Sequence, residues 1–134
     1  MSSAEELPIP QGASAGEVVL VVEDEEAVRI MLHRLLESEG YQVLEAADGQ
    51  RALAAIDGAS RVDLVITDVA MPALNGRQLA DRLKVLRPRL PVLFMSGYTD
   101  DEMVRRGLIE PHHPFLSKPF TPEVLAAKVR QMID

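Results

Sequence analysis

Apolar runs alternate with amphipathic stretches along this chain from about residue 17 onward. The run Val18–Val22 is apolar at every position, as expected for a strand that is covered on both faces of a sheet. After it, apolar residues recur with the spacing i, i+3, i+4, i+7, i+8, which predicts one face of a helix. These residues are Val28, Met31, Leu32, Leu35 and Leu36. Gly40 is placed to end this helix, as a glycine just past a helix end commonly does.

The same alternation continues through the rest of the chain. Further strands are predicted at residues 41–46, 62–67, 92–95 and 115–117, and further helices at residues 48–56 and 99–108 and after Gly76. Thr121 and Pro122 predict the start of a last helix, with a hydroxyl N-cap and a proline at the first helical position. Five strands alternating with five helices predict an α/β fold, a doubly wound (βα)5 sandwich with a parallel sheet and helices on both faces.

The first 16 residues are rich in Ser, Ala, Gly and Pro and show no periodicity. Such a composition predicts a flexible linker or tail, so residues 17–134 are expected to form one domain. The length of 134 residues and the hydrophobic content of 47% are typical of a single globular domain.

Charge and composition exclude several classes of function. The net charge of −7 argues against general affinity for nucleic acid or anionic membranes. The chain has no cysteine, which excludes disulfides, thiolate metal sites and cysteine nucleophiles. It shows no apolar stretch of about 20 residues and no secretory signal pattern, so a soluble cytoplasmic domain without membrane insertion is expected.

Polar side chains follow the predicted apolar strands at the points where the strands end. Glu23 and Asp24 follow the first strand, Asp68 the third, Ser96 the fourth and Lys118 the fifth. Because the carboxyl ends of parallel strands meet at one edge of the sheet, where ligands of open α/β sheets bind, these side chains are expected to form one site.

The chemistry expected at this site is phosphoryl transfer. The Asp68 carboxylate is the predicted nucleophile, which would form an acyl phosphate. Three unpaired carboxylates in one pocket are costly, and Mg²⁺ is the natural counter-ion. We expect Asp24 and Asp68 to be side-chain ligands, Glu23 to bind directly or through water, and the Ala70 carbonyl to be a further ligand.

Two other groups are expected to contact the phosphoryl oxygens. The Lys118 ammonium would pair with one oxygen, and the Ser96 hydroxyl would donate a hydrogen bond to another. A simpler interpretation stays open for each residue: Glu23 and Asp24 as acidic residues favoured near a helix N-terminus, Asp68 as an ordinary loop residue, Ser96 as a turn residue, and Lys118 as a solvated lysine.

Together these motifs resemble the receiver domain of two-component response regulators, a family with a flavodoxin-like fold. The resemblance spans residues 17–134 and rests on Glu23-Asp24, Asp68 with Met71-Pro72 and Gly76, Ser96, and Lys118-Pro119-Phe120. It implies Mg²⁺-dependent transfer of a phosphoryl group to Asp68 from a histidine kinase or a histidine phosphotransfer protein, followed by self-dephosphorylation. As an isolated chain, such a domain is not otherwise an enzyme.

The resemblance also implies a switch in which Ser96 and Phe115 couple phosphorylation to the face formed by helix 4, strand 5 and helix 5. Phe115 lacks the hydroxyl of the more usual tyrosine, so a switch there must work through packing. Tyr98 flanks the site, and we hypothesise that it slows dephosphorylation by shielding the acyl phosphate from water.

A finer resemblance is to the C-terminal receivers of hybrid sensor histidine kinases. It rests on residues 21–25, 94–101 and 115–121. A free-standing receiver would look much the same, and the oligomeric state stays open.

Rival functions have weaker support. A haloacid dehalogenase-type phosphatase would carry a second aspartate two residues after the nucleophile, where this chain has Ala70. A nucleotide or flavin binder would carry a glycine-rich loop after the first strand. An interaction domain that works without phosphorylation stays open as an alternative.

Overall fold

The computed structural model describes residues 16–59, 61–69, 74–97, 100–107 and 113–133, and within them five strands alternate with five helices. The strands are β1 (Val18–Val22), β2 (Gln42–Ala46), β3 (Leu64–Asp68), β4 (Val92–Ser96) and β5 (Phe115–Ser117). The helices are α1 (Glu26–Ser38), α2 (Gly49–Gly58), α3 (Gly76–Leu86), α4 (Asp100–Arg105) and α5 (Pro122–Ile133). The linker predicted for residues 1–16 lies, apart from Gly16, outside the described residues and stays a prediction.

All five strands form one parallel sheet in the order β2-β1-β3-β4-β5. This is the flavodoxin-like order, and it confirms the predicted fold class. Val22 on β1 is level with Thr67 on β3, while Asp68 is level with Met95 on β4. The carboxyl ends of the central strands therefore lie side by side, and the chain order reverses at β1 and β3, which is where ligands bind in such sheets.

The sheet buries two hydrophobic cores, one on each face, because successive strand residues point to opposite sides. On one face, Leu20 and Val22 pack with residues of α2, α3 and α4. On the other face, Val19 and Val21 pack with residues of α1 and α5. The apolar first strand is thus buried on both sides, as its sequence predicts.

The predicted helix signals at Gly40 and Thr121 are confirmed. Gly40 has a φ of 95° just past the end of α1, a left-handed conformation that glycine adopts without the steric cost of a Cβ. The Thr121 hydroxyl accepts a hydrogen bond from the Val124 N–H at 3.1 Å, which caps the first turn of α5.

Two predicted boundaries were wrong by a few residues. β3 begins at Leu64 rather than at residue 62, because Asp63 is used to hold the start of β1: its carboxylate accepts a hydrogen bond from the Val18 N–H at 2.7 Å. The fourth helix was predicted at residues 99–108, but α4 ends at Arg105, and Gly107 follows it with a φ of 70°. Within the described part of the chain, no helix has the length and apolarity needed to cross a bilayer.

Candidate phosphoacceptor and metal site

Backbone hydrogen bonds at the strand ends hold the predicted site residues at the carboxyl edge of the sheet. The Glu23 N–H donates to the Ala46 carbonyl at 3.0 Å, which extends the pairing of β1 with β2 by one residue. Asp68 is the last residue of β3. The Lys118 N–H donates to the Ser96 carbonyl at 2.8 Å, so that the end of β5 is held against the end of β4. The sheet itself therefore brings these residues to one edge.

Glu23, Asp24 and Asp68 form an acidic cluster at this edge. Each offers a carboxylate oxygen, and the three oxygens lie within 4.8 Å of one another. Glu23 is buried, with 1% of its side chain exposed, Asp68 is 14% exposed, and Asp24 is open to solvent. The predicted convergence of the three carboxylates is thus present in the structure.

Lys118 bridges two members of the acidic cluster. Its Nζ atom donates to Glu23 Oε1 at 3.0 Å and to Asp68 Oδ2 at 3.1 Å. Burial lowers the pKa of Lys118, but the hydrogen bonds and negative charges of Glu23 and Asp68 outweigh burial and hold the pKa above its usual value. Lys118 therefore carries a full positive charge at neutral pH, next to the predicted nucleophile.

The charged form of Glu23 is disfavoured by the position of this residue in the site. Burial raises its pKa above the usual value of a glutamate, and the charge of Asp68 adds to this, while the Glu25 N–H and Lys118 act in the opposite direction. A buried carboxylate beside two others binds a hard divalent cation well, because the cation offsets the cost of burial and repulsion. The donor set at this edge therefore fits Mg²⁺.

Ser96 and Phe115 lie at different ends of the β4–β5 pair. Ser96 is buried at the carboxyl end of β4, level with Ser117, and so lies at the edge of the sheet that carries the acidic cluster. Phe115 begins β5, level with Phe94, and its half-buried side chain packs against the core that contains α2, α3 and α4. The two predicted switch residues are separated by two strand positions.

Ala70 and Tyr98 lie outside the described residues. The predicted ligand role of the Ala70 carbonyl and the predicted shielding role of Tyr98 stay predictions.

Gly76 belongs to the sequence motif, and the structure supplies its physical reason. A Cβ atom at Gly76 would lie 2.6 Å from the Asp68 carbonyl oxygen and 2.9 Å from the Val69 Cα. The Gly76 N–H donates to the Val69 carbonyl at 3.0 Å. The first turn of α3 therefore packs directly on the backbone of the predicted nucleophile, which a larger residue would push away.

Sequence reasoning missed Arg29. Its guanidinium Nη1 donates to the backbone carbonyl of Glu23 at 2.8 Å, and its Nε donates to Glu45 Oε1 at 3.0 Å. A signal was present in the sequence: Arg29 lies in the first turns of the helix that follows the acidic pair, and helical side chains lean toward the N-terminus.

Comparison with known proteins identifies the family. The family model for the response regulator receiver domain matches residues 19–130. The chain belongs to this family. The chemotaxis protein CheY4 of Vibrio cholerae has a similar structure, with a TM-score of 0.79 and 32% identity, over 88% of this chain and 99% of that one. The fold and the phosphoacceptor class of function predicted for this receiver domain are thus confirmed.

The finer resemblance to hybrid histidine kinases is also confirmed. The solved receiver domain of the hybrid histidine kinase CckA has a TM-score of 0.72 and 40% identity, over 87% of this chain and 99% of that one. Sensor kinase CckA of Brucella abortus (strain 2308) is 39% identical over 122 residues, which is 90% of this chain but 13% of that protein. The chain spans about half the length of several transcriptional regulatory proteins that it also matches.

Proposed function

We propose that this receiver domain accepts a phosphoryl group on Asp68 from a phosphohistidine of a partner protein, in a reaction that requires Mg²⁺. A carboxylate oxygen of Asp68 forms the new P–O bond while the P–N bond of the phosphohistidine breaks and the ring nitrogen keeps the electron pair. The product is an acyl phosphate, which water later hydrolyses to restore the carboxylate.

The observation that carries this proposal is the position of Asp68 between an acidic cluster and an ammonium group. A lone carboxylate repels an incoming phosphoryl group, so the acceptor must be surrounded by positive charge. Lys118 supplies one such charge at 3.1 Å from Asp68 Oδ2. Glu23 and Asp24 supply the oxygen ligands that would hold a second, divalent one.

Each site residue that the structure describes then has a defined role in phosphoryl transfer. Asp24 and Asp68 would hold Mg²⁺ through their side chains, and Glu23 directly or through water; when bound, the ion neutralises charge on the phosphoryl oxygens. The Lys118 ammonium moves from the carboxylate of Asp68 to a phosphoryl oxygen as charge builds there. The hydroxyl of Ser96, buried at the same edge, donates to another phosphoryl oxygen.

Three assignments complete the proposal. The Ala70 carbonyl is a further metal ligand, Tyr98 shields the acyl phosphate, and Ser96 with Phe115 passes the change of state to the face formed by α4, β5 and α5. Since Phe115 is half-buried against the core that contains α2, α3 and α4, a shift of Ser96 would reach it by repacking between β4 and β5.

The partner that fits is a histidine kinase or a histidine phosphotransfer protein in the cytoplasm. The net charge of −7 supports a protein partner rather than nucleic acid. To the isolated domain we assign only its own phosphorylation by a phosphodonor and its own dephosphorylation.

The decisive experiment is intact mass spectrometry after incubation with acetyl phosphate, with Mg²⁺ or with a chelator. We expect the wild type to gain the mass of one phosphoryl group only with Mg²⁺. Asp68→Ala should gain none, while Asp57→Ala, which replaces an exposed aspartate of α2, should behave as the wild type does. Equal phosphorylation of Asp68→Ala and the wild type would refute the proposal.

A further inference from the structure

The Arg29 guanidinium connects the loop that carries Glu23 to the edge strand β2. One nitrogen, Nη1, donates to the Glu23 carbonyl oxygen at 2.8 Å, and another, Nε, donates to Glu45 Oε1 on β2 at 3.0 Å. The Arg29 side chain is only 15% exposed. A rigid planar group with several fixed donors can hold both acceptors at once, which the single ammonium of a lysine does less well.

Helix geometry explains how Arg29 reaches Glu23. Arg29 lies at the end of the first turn of α1, and its N–H donates to the Glu25 carbonyl at 3.0 Å. Because side chains of a helix lean toward its N-terminus, the guanidinium passes back over that first turn toward the end of β1.

Glu23 is held at four points, and the contact from Arg29 differs from the others. The Glu23 N–H is bonded to Ala46, and its two carboxylate oxygens accept from Glu25 N–H at 3.1 Å and from Lys118 at 3.0 Å. Lys118 and the Glu25 N–H both bond to the carboxylate, which is the group that a metal ion would bind. Arg29 uses the backbone carbonyl, so its hydrogen bond is compatible with a metal-bound carboxylate.

Glu45 offsets the charge of Arg29 and fixes its position. An arginine so close to a cation site would weaken cation binding by repulsion if its charge were not balanced. The second carboxylate oxygen of Glu45 contacts His33 Nδ1, and His33 Nε2 lies 3.3 Å from Glu37 Oε2. The acceptor of Arg29 is therefore itself held by a neighbouring group on α1.

We propose that Arg29 is a positioning residue of the Mg²⁺ site, which acts through the Glu23 backbone carbonyl, and that Glu45 keeps it in place and balances its charge. The inference rests on the proposed function, since it concerns the same metal site. Groups that orient metal ligands from outside the coordination sphere commonly change metal affinity by about 10–100-fold when they are removed.

The test compares Arg29→Ala with Arg29→Lys and with a matched control, Arg34→Ala, which removes an exposed arginine from the same helix. Mg²⁺ affinity is measured by calorimetry without a phosphodonor. Hydrogen exchange of the Glu23 and Glu25 amides is measured by NMR in the metal-free protein, and global stability by urea unfolding.

We expect Arg29→Ala to weaken Mg²⁺ binding about tenfold and to speed exchange of the Glu23 and Glu25 amides more than that of amides in the core. Arg29→Lys should lie between Arg29→Ala and the wild type, because the ammonium keeps the positive charge but lacks the rigid, planar set of donors of the guanidinium. Arg34→Ala should match the wild type, and Glu45→Gln should weaken binding of Mg²⁺ as well.

Three results would overturn the inference in different ways. If the wild type binds Mg²⁺ and Arg29→Ala binds it as tightly as Arg34→Ala does, Arg29 does not position the site, and the proposed function stands. If the wild type binds no Mg²⁺, the proposed function fails and this inference fails with it. A uniform rise of exchange at all amides, with unchanged Mg²⁺ affinity, would show that Arg29 serves stability alone.

Discussion

The Nζ atom of Lys118 lies 3.0 Å from Glu23 Oε1, although the two residues are 95 positions apart in the sequence. This hydrogen bond joins the end of β5 to the end of β1. Asp68 accepts a second hydrogen bond from the same ammonium. Lys118 therefore offsets part of the negative charge of the acidic cluster. A metal ion that binds Glu23 directly must share its carboxylate with Lys118.

Replacement of Lys118 by alanine should separate metal binding from phosphoryl transfer. Without the ammonium, the acidic cluster is more negative, so Mg²⁺ should bind more tightly, as measured by calorimetry. Phosphorylation by acetyl phosphate should nevertheless slow, on the order of 100-fold, because a preorganised donor to the phosphoryl oxygens is lost. Lys84→Ala, at an exposed position of α3, serves as the control. A rate of phosphorylation equal to that of this control would contradict the assigned role.

Replacement of Glu23 by glutamine should change how the stability of the metal-free protein depends on pH. Burial raises the pKa of Glu23 in the folded state above its unfolded value of 4.5, so the folded protein binds a proton there more tightly. The unfolding free energy of the wild type is therefore reduced as pH rises through the folded pKa. Glu23→Gln removes this loss and should gain stability relative to the wild type as the pH rises above 4.5, in urea unfolding with a chelator.

The exposed Glu26 provides the control for that experiment. Glu26→Gln should track the wild type across the same range of pH. If the unfolding free energies of Glu23→Gln and the wild type changed with pH in parallel, burial would not destabilise the charged form of Glu23 in the metal-free state.

Removal of Mg²⁺ should lower the unfolding free energy of the wild type, and the size of this loss should depend on the residues of the acidic cluster. At about 100 times its Kd, Mg²⁺ should raise the unfolding free energy by about 2.7 kcal/mol, because it binds the folded state alone. A chelator should abolish this gain, and Asp24→Asn should reduce it by weakening the site. A melting temperature of the wild type that does not respond to Mg²⁺ would argue against a site at Glu23, Asp24 and Asp68.

Replacement of Gly76 by alanine should damage both stability and the site. The added Cβ would lie 2.6 Å from the Asp68 carbonyl oxygen, so the backbone must shift, and overpacking of this kind costs about 1–3 kcal/mol. The shift also moves the nucleophile, so phosphorylation should slow. At Gly58, a Cβ would meet nothing within 4 Å, and Gly58→Ala should leave both properties close to those of the wild type. Similar losses in the two variants would exclude the close approach of Gly76 to Asp68 as the cause.

The sequence predicted most of the fold because buried strands in a parallel sheet leave a local signal. Val18–Val22 and Phe115–Ser117 have the predicted bounds, since each apolar run is flanked by polar or turn residues. The start of β3 was placed two residues early because Val62 looks like a strand residue. The carboxylate of Asp63 decides the boundary by its hydrogen bond to Val18, which no local pattern reports.

Part of the site, like part of the fold, could be predicted from the sequence, and part could not. Convergence of Glu23, Asp24 and Asp68 follows from strand ends alone, so the sequence predicted it. The contacts of Arg29 with a backbone carbonyl and with Glu45 depend on the direction of one long side chain, and that direction is set by tertiary packing. The bridge from Lys118 to Glu23 likewise requires the strand order, which places β5 two strands away from β3.

The place of β5 after β4 in the chain sets the order in which a newly made chain acquires its site. Synthesis proceeds from the N-terminus, so a chain released as far as β4 already carries the three carboxylates and Ser96 but not Lys118. Because β5 is a three-residue edge strand that pairs with β4, it docks without displacing another strand. An unfinished chain on the ribosome therefore presents the acidic residues without their ammonium partner, and Asp68 gains its hydrogen bond from Lys118 only when β5 is in place.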